Sequence, residues 1–166
     1  MKSLEYVGLA IIHQPFVADD SFGKVLLVRK SEKVPSGATL TWGFPSSPLF
    51  DDSKSLKDCL ASRTKLQTNL DVDILFPIYD WLHPDQDLTD EKEHIIHRTH
   101  VHYYSAQPRY WPQKIILQEE KILEAEWVNP ADVIKKFTTK YASQVRDYLQ
   151  QLKIEPKQVD QAAGNG

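Results

Sequence analysis

The stretch that most limits how this chain can fold is 40–70, LTWGFPSSPLFDDSKSLKDCLASRTKLQTNL. Leu40, Trp42 and Phe44 alternate, so residues 39–44 read as a strand with one apolar face. Pro45-Ser46-Ser47-Pro48 is expected to stop that strand, because proline has no N–H to give to a ladder. Asp51, Asp52 and Ser53 offer oxygens to the free N–H groups of a helix start. Leu56, Cys59, Leu60, Arg63 and Leu66 or Gln67 then recur at helical spacing over 54–67. Asn69 tolerates the left-handed conformation that a C-terminal cap needs, so the helix is expected to end there.

Around this unit the chain alternates strands and loops, then turns helical. Residues 4–13 read as a buried strand and 24–30 as a second, with Gly23 suggesting a hairpin-type connection between them. A loop is expected at 31–38, which holds Pro35 and Gly37. Residues 72–81 are apolar but broken by Pro77, which calls for an edge position or a bulge. Residues 83–93 are polar and read as a surface loop. In 95–106, a strand, His100, His102 and Tyr104 oppose Val101, Tyr103 and Ser105. Residues 107–112 form a turn, 114–117 a short strand or loop, and 121–128 a strand carrying Trp127. Pro130 suits the first position of a helix to 137. A last helix over 140–152 carries Tyr141, Val145, Tyr148, Leu149 and Leu152 on one face. One domain over 1–153 with a flexible tail at 154–166 is the expected organisation, and 166 residues suffice for a sizeable core.

Three sequence elements in this frame carry a resemblance. Trp42-x-Phe44-Pro45, a helix of fitting length and Thr68-Asn69-Leu70 resemble the box of the Nudix family, Gly-x5-Glu-x7-Arg-Glu-U-x-Glu-Glu-x-Gly-U with U aliphatic. Val28-Arg29-Lys30 looks like the strand before that box, and Glu124-x-x-Trp127-Val128-x-Pro130-x-Asp132-Val133 like the family's closing strand and helix start. The resemblance implies an α/β fold, a Nudix-like α/β/α sandwich with a mixed sheet between helices. It also implies a metal-dependent pyrophosphohydrolase site on the box helix.

The box chemistry is missing. With one residue inserted in the loop, the box glutamates fall on Lys54, Arg63, Leu66 and Gln67, and the arginine on Ser62. Without it they fall on Ser53, Ser62, Lys65 and Leu66, and the arginine on Ala61. Ser46 and Ser47 stand at the loop glycines. Neither register holds a carboxylate, whereas diphosphate hydrolysis uses metal ions that neutralise phosphates and activate water. Mg²⁺ takes oxygen ligands, supplied by glutamates three and four apart on one helix face. Here the helix holds Lys54, Lys57, Arg63 and Lys65 against Asp58 alone.

Several side chains remain as candidates. Arg63 either binds a phosphate with its planar fork, helped by Lys54 or Lys65, or pairs with a nearby acid. Glu119, Glu120 and Glu93 are the acids outside the box available as a catalytic base, or are solvated surface carboxylates. His100 and His102 share a strand face and are candidates for metal, with no third ligand at suitable spacing, or else line a polar surface. Trp111 lies in a turn and is available to stack a base, or is packed down. Trp42, Phe44, Trp81, Tyr103 and Trp127 are core candidates, and Glu124 and Glu126 face away from the core. Cys59 excludes an internal disulfide and reads as a buried, inert thiol.

The expected function is therefore a Nudix-fold module that has lost its pyrophosphatase and binds a nucleotide diphosphate derivative or a protein. The alternative is a divergent hydrolase using acids outside the box. No cofactor is expected, and Mg²⁺ only under that alternative. A net charge of −3 signals no general polyanion binding, so nucleic acid is not an expected partner. No stretch approaches the ~20 apolar residues that cross a bilayer, and 7–12 lacks a cleavage pattern, so a cytoplasmic protein is expected.

Overall fold

Strands buried on both faces read as near-continuous apolar runs, and YVGLAII does so because helices cover both of its sides. The computed structural model describes residues 2–15, 23–34, 37–51, 53–82, 88–90, 95–137 and 141–152. Of 2–5, 32–34, 37–41, 81–82, 88–90 and 95–99 it describes the backbone alone. The chain runs β1 (Lys2–Ile12), β2 (Val25–Val34), β3 (Gly37–Gly43), β4 (Ser46–Pro48), α1 (Leu56–Thr68), β5 (Val72–Leu82), β6 (Leu88–Asp90), β7 (Ile95–Pro108), β8 (Ile122–Val128) and α2 (Pro130–Lys136). A third helix, α3, occupies 143–152.

One sheet has the order β4-β1-β7-β5, with β6 also on β7, and a second has the order β3-β2-β8. The first is mixed: β1 and β7 run parallel from Lys2↔Ile96 to Ile12↔Ala106, and every other pairing is antiparallel. Alternate residues of β1 leave in opposite directions. Ala10 and Ile12 pack with Leu26, Leu70 and Leu60 of α1. Ile11 packs with Val25, Phe44, Val133 of α2, and Val145 and Leu149 of α3. The result is the α/β/α sandwich with two apolar layers. Gly8 lets α1 sit close on β1, since a Cβ built there would lie 3.3 Å from Leu56 Cγ. Among the described residues no helix is long and apolar enough to cross a membrane.

The structure corrects several local readings. The helix cap is Ser55, whose hydroxyl accepts from the Asp58 N–H at 3.1 Å, not Asp51, Asp52 or Ser53. Asp51 instead binds the Ser53 N–H and hydroxyl, which holds its carboxyl below the usual range. Strand continues through most of the expected 31–38 loop, because β2 and β3 pair out to Val34↔Gly37. Ser46–Pro48 is a short edge strand rather than a stop, and edge strands tolerate proline. The expected β1–β2 hairpin joins strands of different sheets, tied among the described residues by the antiparallel bridge His13↔Val25 and by the Gln14 N–H donating to Lys24 O at 2.9 Å. Leu88–Asp90 pairs with β7 inside the expected 83–93 loop. Pro77 does lie on an edge strand, in a bulge where register shifts between Ile74 and Tyr79. Glu93, the Trp81 side chain and the tail from 154 lie outside the described residues.

Candidate functional site

The site forms where α1 meets the segment between β7 and β8. The buried face of α1 carries Cys59, Leu60, Thr64, Gln67 and Thr68. The two threonines can be buried because each hydroxyl donates back one turn, Thr64 to Leu60 O at 2.8 Å and Thr68 to Thr64 O at 2.7 Å. Asn69 ends the helix at φ 67°, its N–H returning to Lys65 O. The following segment lies along α1, with the Ile116 N–H donating to Thr68 O at 2.9 Å.

That placement brings Glu119 to Arg63. Arg63 Nη2 lies 3.2 Å from Glu119 Oε1 and 3.3 Å from Oε2, with side chains 40% and 24% exposed. One turn on, Leu66 is 51% exposed and offers no polar atom. Gln67 is buried, and its Oε1 has no hydrogen-bond partner. On the neighbouring strands the Lys30 ammonium donates to Ser46 Oγ, on the edge strand against which α1 packs.

Lys65 turns elsewhere. It donates to Asn69 O and to Asp71 Oδ2, each at 3.1 Å. Asp71 also accepts from Tyr110 Oη at 3.0 Å, and these bonds, Lys65 first, hold its carboxyl below the usual range. Gln113 closes the network, donating to Asp71 O and accepting from the Asp71 N–H, both at 2.8 Å. Positions two apart on a helix point about 200° apart, so Arg63 and Lys65 reach different acids. Lys54 precedes the cap and is exposed. The structure therefore does not gather Arg63, Lys54 and Lys65 into one cluster. It does put Trp111 on the segment that carries Glu119, 39% exposed, its ring edge-on to Trp127 at 5.5 Å. Glu120 is exposed beside Glu119.

His100 and His102 share a sheet face with Tyr6, ring centroids 5.8 and 5.9 Å from the tyrosine. His102 Nδ1 lies 2.7 Å from Asp80 Oδ1, so the ring is oriented by a carboxylate. Among the described residues no group of three or more His, Cys, Asp or Glu is arranged to hold a metal ion.

A family profile described as NUDIX domain matches residues 15–150. The chain belongs to the Nudix family. Its fold is shared with the MutT protein from Methanosarcina mazei Go1, at TM-score 0.58 and 18% identity over 94% of this chain and 97% of that one. The NUDIX domain of Shewanella oneidensis NrtR, complexed with ADP ribose, aligns at 0.58 and 19% over 96% and 90%. A C. elegans Ap4A hydrolase binary complex aligns at 0.62 and 17% over 89% and 97%. No curated protein matches the chain in sequence.

A divalent cation, as Nudix chemistry implies, would need several oxygen ligands here. The orphaned Gln67 Oε1 is one neutral oxygen, while Glu119 is engaged by Arg63 and Leu66 offers nothing. These residues do not fit a Mg²⁺ site. One feature escaped the sequence reading. Lys30 shares its strand parity with Leu26 and Val28, which pointed to the α1 side. The sequence reading left Leu66 or Gln67 open on the helical stripe, and only the structure decides it, burying Gln67 and exposing Leu66.

Proposed function

We propose that this Nudix protein binds a nucleoside diphosphate derivative beside α1 and does not hydrolyse it by the metal-dependent route. The observation that carries the reading is the Arg63–Glu119 pair. The left-handed Asn69 supports the register that sets it at the second box glycine, because glycine and asparagine are the residues that adopt this cap. Arg63, Leu66 and Gln67 then stand at three box glutamates. A guanidinium supplies positive charge there without a metal, and its planar fork suits phosphate oxygens as it suits a carboxylate. A phosphate would take Glu119's place on Arg63, with Lys30 on the adjoining strand as the further cation.

Likeness to a NUDIX domain complexed with ADP ribose and to an Ap4A hydrolase favours a nucleotide derivative over a protein as ligand. The test is calorimetric titration of ADP-ribose and of a dinucleoside polyphosphate, with Arg63→Glu as control, beside a phosphate-release panel in Mg²⁺ and Mn²⁺. Binding lost in Arg63→Glu with a dead panel is the expected result. Turnover abolished by Glu119→Ala or Glu120→Ala would replace the proposal with a divergent hydrolase.

A further inference from the structure

The face of the mixed sheet opposite α1 holds a cleft of about 580 Å³, within the ~300–1,000 Å³ range of small-molecule sites. Its origin is local. Between Ile74↔Ala106 and Pro77↔Tyr104, strand β5 sets two residues, Leu75 and Phe76, against Ser105 alone. Pro77 gives the ladder no N–H, and the bulge leaves the Leu75 carbonyl to the Lys57 ammonium at 3.3 Å. The bulged strand forms an apolar wall of Leu75, Phe76, Pro77 and Ile78. Phe76 is 51% exposed, so its ring is available for stacking.

The opposite wall is α3. Gln144, Asp147 and Gln151 follow at i, i+3 and i+7, one polar row facing the apolar wall. The floor is buried Ser105, whose Oγ accepts from Tyr148 Oη at 2.9 Å. Among the described residues that line the cleft, none is lysine or arginine, Asp147 is the one carboxylate, and His13 adds an imidazole. An ionised carboxylate only accepts hydrogen bonds and takes two parallel donors best. A phosphate would meet the like charge of Asp147.

We propose that this cleft binds a phosphate-free heterocycle with two adjacent N–H donors, such as a guanine nucleoside, stacked on Phe76 with its donor edge on Asp147. The α1 groove lies on the other side of the sheet, so either site can fail without the other.

The probe is guanosine, titrated into the full chain by calorimetry and by amide chemical-shift mapping. The expected result is shifts at residues 75–78 and 144–151, with adenosine and GMP each bound at least tenfold more weakly. Asp147→Asn and Phe76→Ala, both at exposed side chains, are expected to keep the melting temperature and to lose at least tenfold in guanosine affinity. Absence of heat and of shifts at millimolar guanosine, shifts confined to α1, equal affinity for GMP, or unchanged affinity in Asp147→Asn would each overturn the proposal.

Discussion

Removing Glu119 should tighten ligand binding beside α1, although it deletes an ion pair. Arg63 Nη2 lies 3.2 and 3.3 Å from the two Glu119 oxygens. At that separation Coulomb attraction is about 1.3 kcal/mol in a water-like dielectric and about 5 kcal/mol at an effective value of 20. Ordering two side chains opposes it, and Arg63 is 40% exposed, so the pair belongs near the top of the 0.2–1 kcal/mol range of exposed pairs, at about 0.5–1 kcal/mol. A double-mutant cycle of Arg63→Ala and Glu119→Ala in urea at pH 7 measures that coupling, and 1 M salt should shrink it. If a phosphate must displace Glu119 from Arg63, the same energy is recovered when Glu119 is absent. Glu119→Ala is then expected to bind ADP-ribose about two- to fivefold more tightly, while Arg63→Ala binds more weakly. Coupling below about 0.2 kcal/mol, or weaker binding by Glu119→Ala, would refute the competition.

Other expectations test the frame. Placing carboxylates on α1 in Arg63→Glu/Leu66→Glu/Gln67→Glu should create a Mn²⁺-dependent rise in melting temperature, whereas glutamates at Ser62, Lys65 and Leu66 should not. Asn69→Ala should cost about 1 kcal/mol in urea unfolding and Asn69→Gly nearly nothing, since alanine pays for φ 67° and glycine does not. Burial pushes the Tyr103 hydroxyl up to about 12, so between pH 10 and 12 the unfolded chain has lost a proton that the folded one keeps. Stability from this residue is complete below pH 10 and falls by about 1.4 kcal/mol per pH unit above it. Tyr103→Phe should flatten that alkaline decline, read by urea unfolding from pH 9 to 11.5.

Patterns carried by neighbours in the chain were legible. The apolar run in 4–13, the helical spacing from Leu56 through Cys59 and Leu60 to Gln67, the left-handed cap at Asn69 and the bulge at Pro77 rest on apolar patterning, backbone allowance and a missing N–H, and all stand in the structure. Where two local solutions competed, the reading missed. Asp51, Asp52, Ser53 and Ser55 all suit a cap, and packing of Leu56 over Gly8 favours Ser55. Pro45 to Pro48 looks like a stop until β1 supplies its edge partner.

By itself the sequence determined that α1 carries Lys57, Arg63 and Lys65 against Asp58 alone, since identity at a helical spacing needs no coordinates. Only tertiary structure decided that Arg63 meets Glu119, that Gln67 is sealed with an unpaired oxygen, and that Ser105 floors a cleft. Those meetings join residues 56 apart, or strands in different parts of the chain. No local propensity records such contacts, because burying both apolar layers of the sandwich is what brings them together.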